Sequence, residues 1–404
     1  MLFLQGIIAT LLGVGAGIIT GLAPGIHINL VSLILVSVSG YLLGFIEPLT
    51  IGIFIVAMGV THTFLDAIPS IFLGAPEAET ALNVLPGHVL LMKGRGYEAV
   101  KLTVIGSLVA LLMTVAIIPF TIPFIGPFFD VLQPYMGIIL ILIVVFMLLK
   151  EHGTDKKLWS LFIFLMAGIL GLITLNVPNL KQPLFPLLSG FFGVSTFMTS
   201  LNDKVVIPEQ KISDELHPSK VGFLKSTVGA TVFGSLTSIF PGLSAAEAAI
   251  IALQFLGDLG IYSFLILIGG INTVAFVYSL GTFYAIGKAR NGAVVAILQI
   301  VKSIDKNGLI ILLATALIAG ACATYLSLYF SKVFSAYISK INYQKLCISI
   351  IMLIVILTIF FTGFVGILIL ITSTAIGLLA PMVGVKRSNA MGCLLLPVIL
   401  FFTV

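Results

Sequence analysis

Apolar runs recur along the 404 residues with short polar breaks between them, and most are too long and too evenly apolar for an amphipathic surface helix. They lie at 3–20, 28–46, 49–73, 99–120, 134–149, 158–176 and 184–200, then at 221–240, 243–257, 260–287, 307–330, 344–361, 363–380 and 389–403. A helix needs roughly 20 residues to cross the hydrocarbon core, so the longer runs predict spanning helices and the shorter ones re-entrant segments. The longest polar stretch, 202–220, reads as a linker rather than a domain. The pattern therefore predicts a first membrane repeat over 1–201, a polar linker over 202–220 and a second membrane repeat over 221–404.

Two breaks organise the pattern. One reads Thr20-Gly-Leu-Ala-Pro24-Gly25-Ile-His27-Ile-Asn29, the other Thr237-Ser-Ile-Phe-Pro241-Gly242-Leu-Ser244-Ala-Ala-Glu247. Pro lacks an N–H and Gly tolerates conformations other residues avoid, so each Pro-Gly interrupts a helix. At bilayer depth the freed backbone groups must be buried in protein or line a polar cavity. The two Pro-Gly pairs are 217 residues apart, and Gly59-Val-Thr-His62 lines up with Gly270-Ile-Asn272-Thr273 at a separation of 211. Shared order at a near-constant offset predicts an internal duplication. The expected fold is thus an all-α polytopic membrane protein of two homologous halves, inverted relative to each other, with broken or re-entrant helices meeting at the midplane.

Composition agrees. Hydrophobic residues make up 59% of the chain and charged residues 9%, with a mean hydropathy of +1.24. A soluble domain carries roughly 25% charged residues, so the chain belongs in lipid, as a multi-pass protein of the cell membrane. No Asp, Glu, Lys or Arg precedes Glu47, and the start lacks the basic region of a cleavable signal, which predicts a retained membrane segment. The net charge of +5 comes from loop residues that suit anionic lipid rather than nucleic acid. Basic residues follow corresponding segments in both halves: Lys93, Arg95 and Lys101 in one, Lys288, Arg290, Lys302 and Lys306 in the other. Strict inversion puts one set outside, against the positive-inside rule. Cys322, Cys347 and Cys393 sit in apolar runs as small core residues, with no metal-ligand spacing.

Each helix restart exposes unpaired N–H groups and about half a positive charge, an anion site. Pro24, Gly25, His27 and Asn29, with Pro241, Gly242, Ser244, Asn272 and Thr273, are the candidate substrate-binding residues. Thr61, His62, Asp66 and Glu247 are candidates for ion coupling, since ionisable groups inside a membrane mark ion or proton pathways; the ion is Na⁺ or H⁺. Pro76 suits the first turn of a helix whose positive end Glu77 and Glu79 would occupy, and these two acids are candidates for gating. There is no G-x-x-x-x-G-K-[ST], His-Glu-x-x-His or Asp-Asp-x-x-Asp, so neither an ATP-driven motor nor a metal-dependent membrane enzyme is expected.

These breaks, with Thr61-His-Thr-Phe-Leu-Asp66 and Phe72-Leu-Gly-Ala-Pro-Glu-Ala-Glu-Thr80, resemble the large permease subunit of tripartite tricarboxylate transporters, most closely its shorter, archaeal-type members. The resemblance spans nearly the whole chain. It implies a secondary active permease for a small organic anion such as a di- or tricarboxylate. It also implies a small membrane subunit and an extracytoplasmic binding protein as partners, and it is compatible with a homodimer. The chain departs from the fuller permeases in being short and in following Pro24-Gly25 with Ile-His-Ile-Asn. The duplicated Pro-Gly more faintly resembles polyprenyl-phosphate translocases, in which a helix terminus would hold a lipid phosphate.

Overall fold

The structure, a computed structural model, describes residues 2–23, 28–73, 84–149, 151, 153–178, 180, 182–202, 208–213, 218–240, 244–289, 291–338 and 343–403. Among them no strand occurs. The helices of the first part are α1 (Leu2–Leu22), α2 (Ile28–Leu42), α3 (Pro48–Leu65), α4 (Val84–Leu91), α5 (Gly96–Leu132), α6 (Met136–Leu149), α7 (Thr154–Leu175), α8 (Leu184–Leu188) and α9 (Ser195–Asn202). Those of the second are α10 (Lys220–Ile239), α11 (Ala245–Leu256), α12 (Gly260–Ile286), α13 (Gly292–Val301), α14 (Lys306–Ile338), α15 (Tyr343–Val383) and α16 (Gly392–Thr403). Two π-helical turns, Pro69–Leu73 and Ser189–Val194, continue α3 and precede α9. Seven stretches among the described residues are long and apolar enough to cross a membrane. The all-α polytopic fold is as the hydrophobic pattern predicts.

Small residues set how the helices meet, because in lipid they let backbones approach closely. Along α1, Gly13, Gly17 and Gly21 lie against Phe54, Met58 and Leu65 of α3. Position advances together on both helices, so they run parallel. The following α2 packs on α13 rather than back along α1, and α1 itself ends level with Asp66. Gly21 stands beside the backbone of that residue. In the second part, Ser226 Oγ donates to the Ser263 carbonyl at 2.6 Å and Ser238 Oγ to the Ala275 carbonyl at 2.8 Å. Here α10 and α12 run parallel, α10 ends level with Ala275, and α11 packs back against α10.

Each of α3 and α12 packs on a long helix from the other part of the chain. On α12, Gly269 faces Thr103 of α5, and its carbonyl accepts Ser107 Oγ at 2.9 Å. On α3, Gly52 faces Leu312 of α14. Between α3 and α12 the contacts run Gly59 to Phe276, Thr63 to Thr273 and Asp66 to Asn272, rising on one helix while falling on the other. These two helices are antiparallel. So are α5 and α14, where Gly320 meets Leu111 and the Lys332 ammonium lies 5.7 Å over the Tyr97 ring. The tightest of these crossings is at Gly106, where any side chain would strike the Ile266 carbonyl. Gly106→Val is expected to destabilise by about 1–3 kcal/mol or more, read as a lower thermal midpoint in detergent.

A second bundle packs α7 on α16 through Gly168 and Gly171, and α15 on the π turn before α9 through Gly190 and Gly377. The 41-residue α15 bends at Gly363, whose φ of +64° favours glycine. Within the polar stretch, the described residues Gln210 and Lys211 are anchored to the start of α5 and the end of α4. Gln210 accepts from Gly96 N at 2.9 Å and donates to the Leu91 carbonyl at 3.0 Å, and Lys211 N bonds the Gly94 carbonyl.

Candidate functional site

The end of α1 and the α3–α12 crossing meet at one buried polar cluster. Asp66 closes the α-helical part of α3, and its carbonyl accepts Ser70 Oγ at 3.1 Å where the π turn begins. Asn272, from the middle of α12, donates Nδ2–H to Asp66 Oδ2 at 2.6 Å. One turn earlier on α3, His62 Nε2 lies 3.8 Å from the same carboxylate oxygen, beyond a direct hydrogen bond but within ion-pair range. Thr63 and Thr273 hydroxyls meet across the crossing at 3.2 Å. Asp66 is 3% exposed and His62 2%, so the carboxylate is held in protein, away from bulk water.

Such a placement has a physical reason. A charged side chain in a membrane interior is costly unless it faces the bundle and finds partners. Gly17 and Gly21 bring the α1 and α3 backbones close, and Gly59 leaves room for the Phe276 ring of α12. Thr61 packs against Gly17 of α1; its hydroxyl is buried and has no hydrogen-bond partner among the described residues.

The start of α11 is built differently. Ser244 caps α11: its Oγ accepts from Glu247 N at 3.3 Å, and Glu247 Oε2 accepts from Ser244 N at 2.6 Å, a reciprocal capping box. Glu247 is fully buried, and its Oε1 finds no partner among the described residues. Ser244-Ala-Ala-Glu247 carries the S-x-x-E signature of that cap, a signal legible in the chain itself. No hydrogen bond or ion pair among the described residues joins Ser244 or Glu247 to the Asp66 cluster. Asn29, near the start of α2, lies against Gly292 at the start of α13, where a side chain on that glycine would press into its amide.

Sequence-predicted residues thus divide. Thr61, His62, Asp66, Asn272 and Thr273 come together, whereas Ser244 with Glu247, and Asn29, stand at the starts of α11 and α2. Pro24, Gly25, His27, Pro241, Gly242, Glu77 and Glu79 lie outside the described residues. Ser70 and Thr63 join the cluster without having been singled out as candidates; the α3–α12 pairing reveals Thr63, and Ser70 joins through a local bond to the Asp66 carbonyl. A surface cleft of about 310 Å³ is lined by Lys93, Arg95, Ser219 and Tyr262, away from this cluster. Its Arg95 is already taken by Glu98 in a two-pronged pair at 2.5 and 2.7 Å.

The sequence matches the family described as "Tripartite tricarboxylate transporter TctA family" over residues 7–392. It is 30% identical over 399 residues to the uncharacterized protein MJ1079 of Methanocaldococcus jannaschii, covering 97% of this chain and 98% of that one. No solved structure matches. A match over nearly the whole chain, on a bundle of seven apolar helices, means that the protein belongs to the tripartite tricarboxylate transporter TctA family and is a multi-pass, non-enzymatic membrane permease.

Proposed function

We propose that the protein is a secondary active transporter that moves a small organic anion, such as a di- or tricarboxylate, on a Na⁺ or H⁺ gradient. The observation that carries this reading is the buried Asp66–Asn272 pair, held where α1 packs on α3 and α3 crosses α12. Asp66 is the coupling group: its carboxylate takes the cation or proton, with His62 and Thr61 beside it. The helix starts at α2 and α11 offer backbone N–H groups to the anion. Opposite directions of α3 and α12, and of α5 and α14, support an inverted duplication. Permeases of the family work with a small membrane subunit and a binding protein; for this chain we propose an equivalent pair of partners.

Purified protein in liposomes should accumulate labelled citrate or succinate when an inward Na⁺ or proton gradient is imposed, and lose that accumulation when the gradient is collapsed. Folded protein that accumulates no carboxylate under either gradient overturns the proposal.

A further inference from the structure

We infer that Arg387, with Thr196 and Thr199, forms a carboxylate-binding site for the transported anion, at the seam between the two bundles. The inference rests on the transport reading above, and names a contact that those helix starts do not supply.

Arg387 opens the short turn between α15 and α16. Its Nη1 donates to Thr196 Oγ1 and its Nη2 reaches Thr199 Oγ1 at 3.5 Å. Both threonines are already committed as donors, Thr196 to the Phe192 carbonyl at 2.6 Å and Thr199 to the Ser195 carbonyl at 2.9 Å. Hydroxyl oxygens therefore hold the guanidinium in place without neutralising it. A guanidinium carries five N–H donors in a planar fork, and two are used here. No carboxylate among the described residues pairs with it, in contrast to Arg95 on Glu98. A half-buried, oriented and uncompensated arginine is the group that reads a carboxylate through two parallel hydrogen bonds.

Its surroundings suit a transported ligand. The threonines follow the π turn Ser189–Val194, which Gly190 and Gly377 press onto α15. His88 of α4, within electrostatic reach of Arg387, bonds the backbone of Ile71 in the other π turn. That turn continues α3 beyond Asp66, about 8 Å further along the axis at 1.5 Å per residue. π turns are frequent at functional sites. Arg387 thus stands where the α15–α16 turn meets α9, with His88 of α4 within its electrostatic reach from the other bundle. An anion on its remaining N–H groups would lie between the two bundles and change contacts as they rearrange, as transport requires.

The test is citrate binding to the detergent-purified protein, measured by calorimetry without added lipid. Arg387→Gln is expected to weaken binding about 30-fold, the loss of charge-assisted hydrogen bonds. Arg387→Lys, which keeps the charge but not the fork, should fall between that variant and wild type, and guards against misfolding of the first. Thr196→Val should weaken binding about 5-fold by freeing the guanidinium. Wild type that binds citrate while folded Arg387→Gln or Arg387→Lys binds equally well overturns the inference and leaves the transport reading intact. Wild type that binds no di- or tricarboxylate overturns both. An anionic lipid phosphate is the other source of this chemistry: if native mass spectrometry shows Arg387→Gln losing bound phosphatidylglycerol while its citrate affinity is unchanged, the site belongs to lipid and the inference fails.

Discussion

Asp66→Asn is expected to abolish gradient-driven accumulation while leaving the protein folded. The substitution is nearly isosteric, and an amide can still accept from Asn272 Nδ2, so stability should shift by about 1 kcal/mol or less. What disappears is the negative charge that holds a cation or the site that takes a proton. If ion and substrate sites are coupled by the usual 1–3 kcal/mol, the reciprocal loss in substrate affinity is about 5- to 150-fold. The accumulation ratio in liposomes should then drop to that set by the substrate's own gradient, whichever ion is offered. Counterflow, the exchange of labelled for unlabelled substrate, should persist, because it needs no net ion movement. Wild-type accumulation by Asp66→Asn would remove this residue from the coupling role.

The second large effect is expected from Asn272→Leu, and it concerns folding. Leucine removes the amide that donates at 2.6 Å and leaves the Asp66 carboxylate buried with one partner fewer. Removing one side of a buried, charged hydrogen bond costs about 2–5 kcal/mol, much of it from the group left behind. The thermal midpoint in detergent should fall several degrees further than in Asp66→Asn. Exchanging the pair, Asp66→Asn with Asn272→Asp, restores one carboxylate and one amide across the crossing and should recover most of that loss. If the exchanged protein is as unstable as Asn272→Leu, the contact is not what holds the crossing together. Whether it also transports tells if the carboxylate must stand on α3, beside His62.

Much of this arrangement was legible in the chain because lipid simplifies the problem. Long apolar runs have few alternatives to helix, and each run in the sequence has a helix at nearly the same place. The described helices α1 and α10 end at Leu22 and Ile239, just before the two Pro-Gly pairs, because Pro and Gly act locally. The Asp66–Asn272 bond was not legible. Both residues were visible as polar intrusions, assigned to different tasks, but their meeting depends on an antiparallel crossing between segments some 200 residues apart, which no local pattern encodes. Arg387 was hidden more thoroughly. In sequence it is one of several bases between apolar runs, next to Lys386, and reads as a loop charge. Only the packing of α9 beside it shows threonines where an acid would be expected. Glu247 illustrates a different gap: read as an ion-coupling acid, it is held in a capping box with Ser244, read as a substrate contact, although the S-x-x-E spacing is local.

The opposed directions of α5 and α14 bear on how the chain settles in a bilayer. Lys93 and Arg95 precede one helix, Lys302 and Lys306 the other, so these bases emerge on opposite surfaces. Each pair draws its own end toward the cytosol, and the two pulls largely cancel. Which way up the molecule sits then falls to the others among the chain's 20 lysines and arginines.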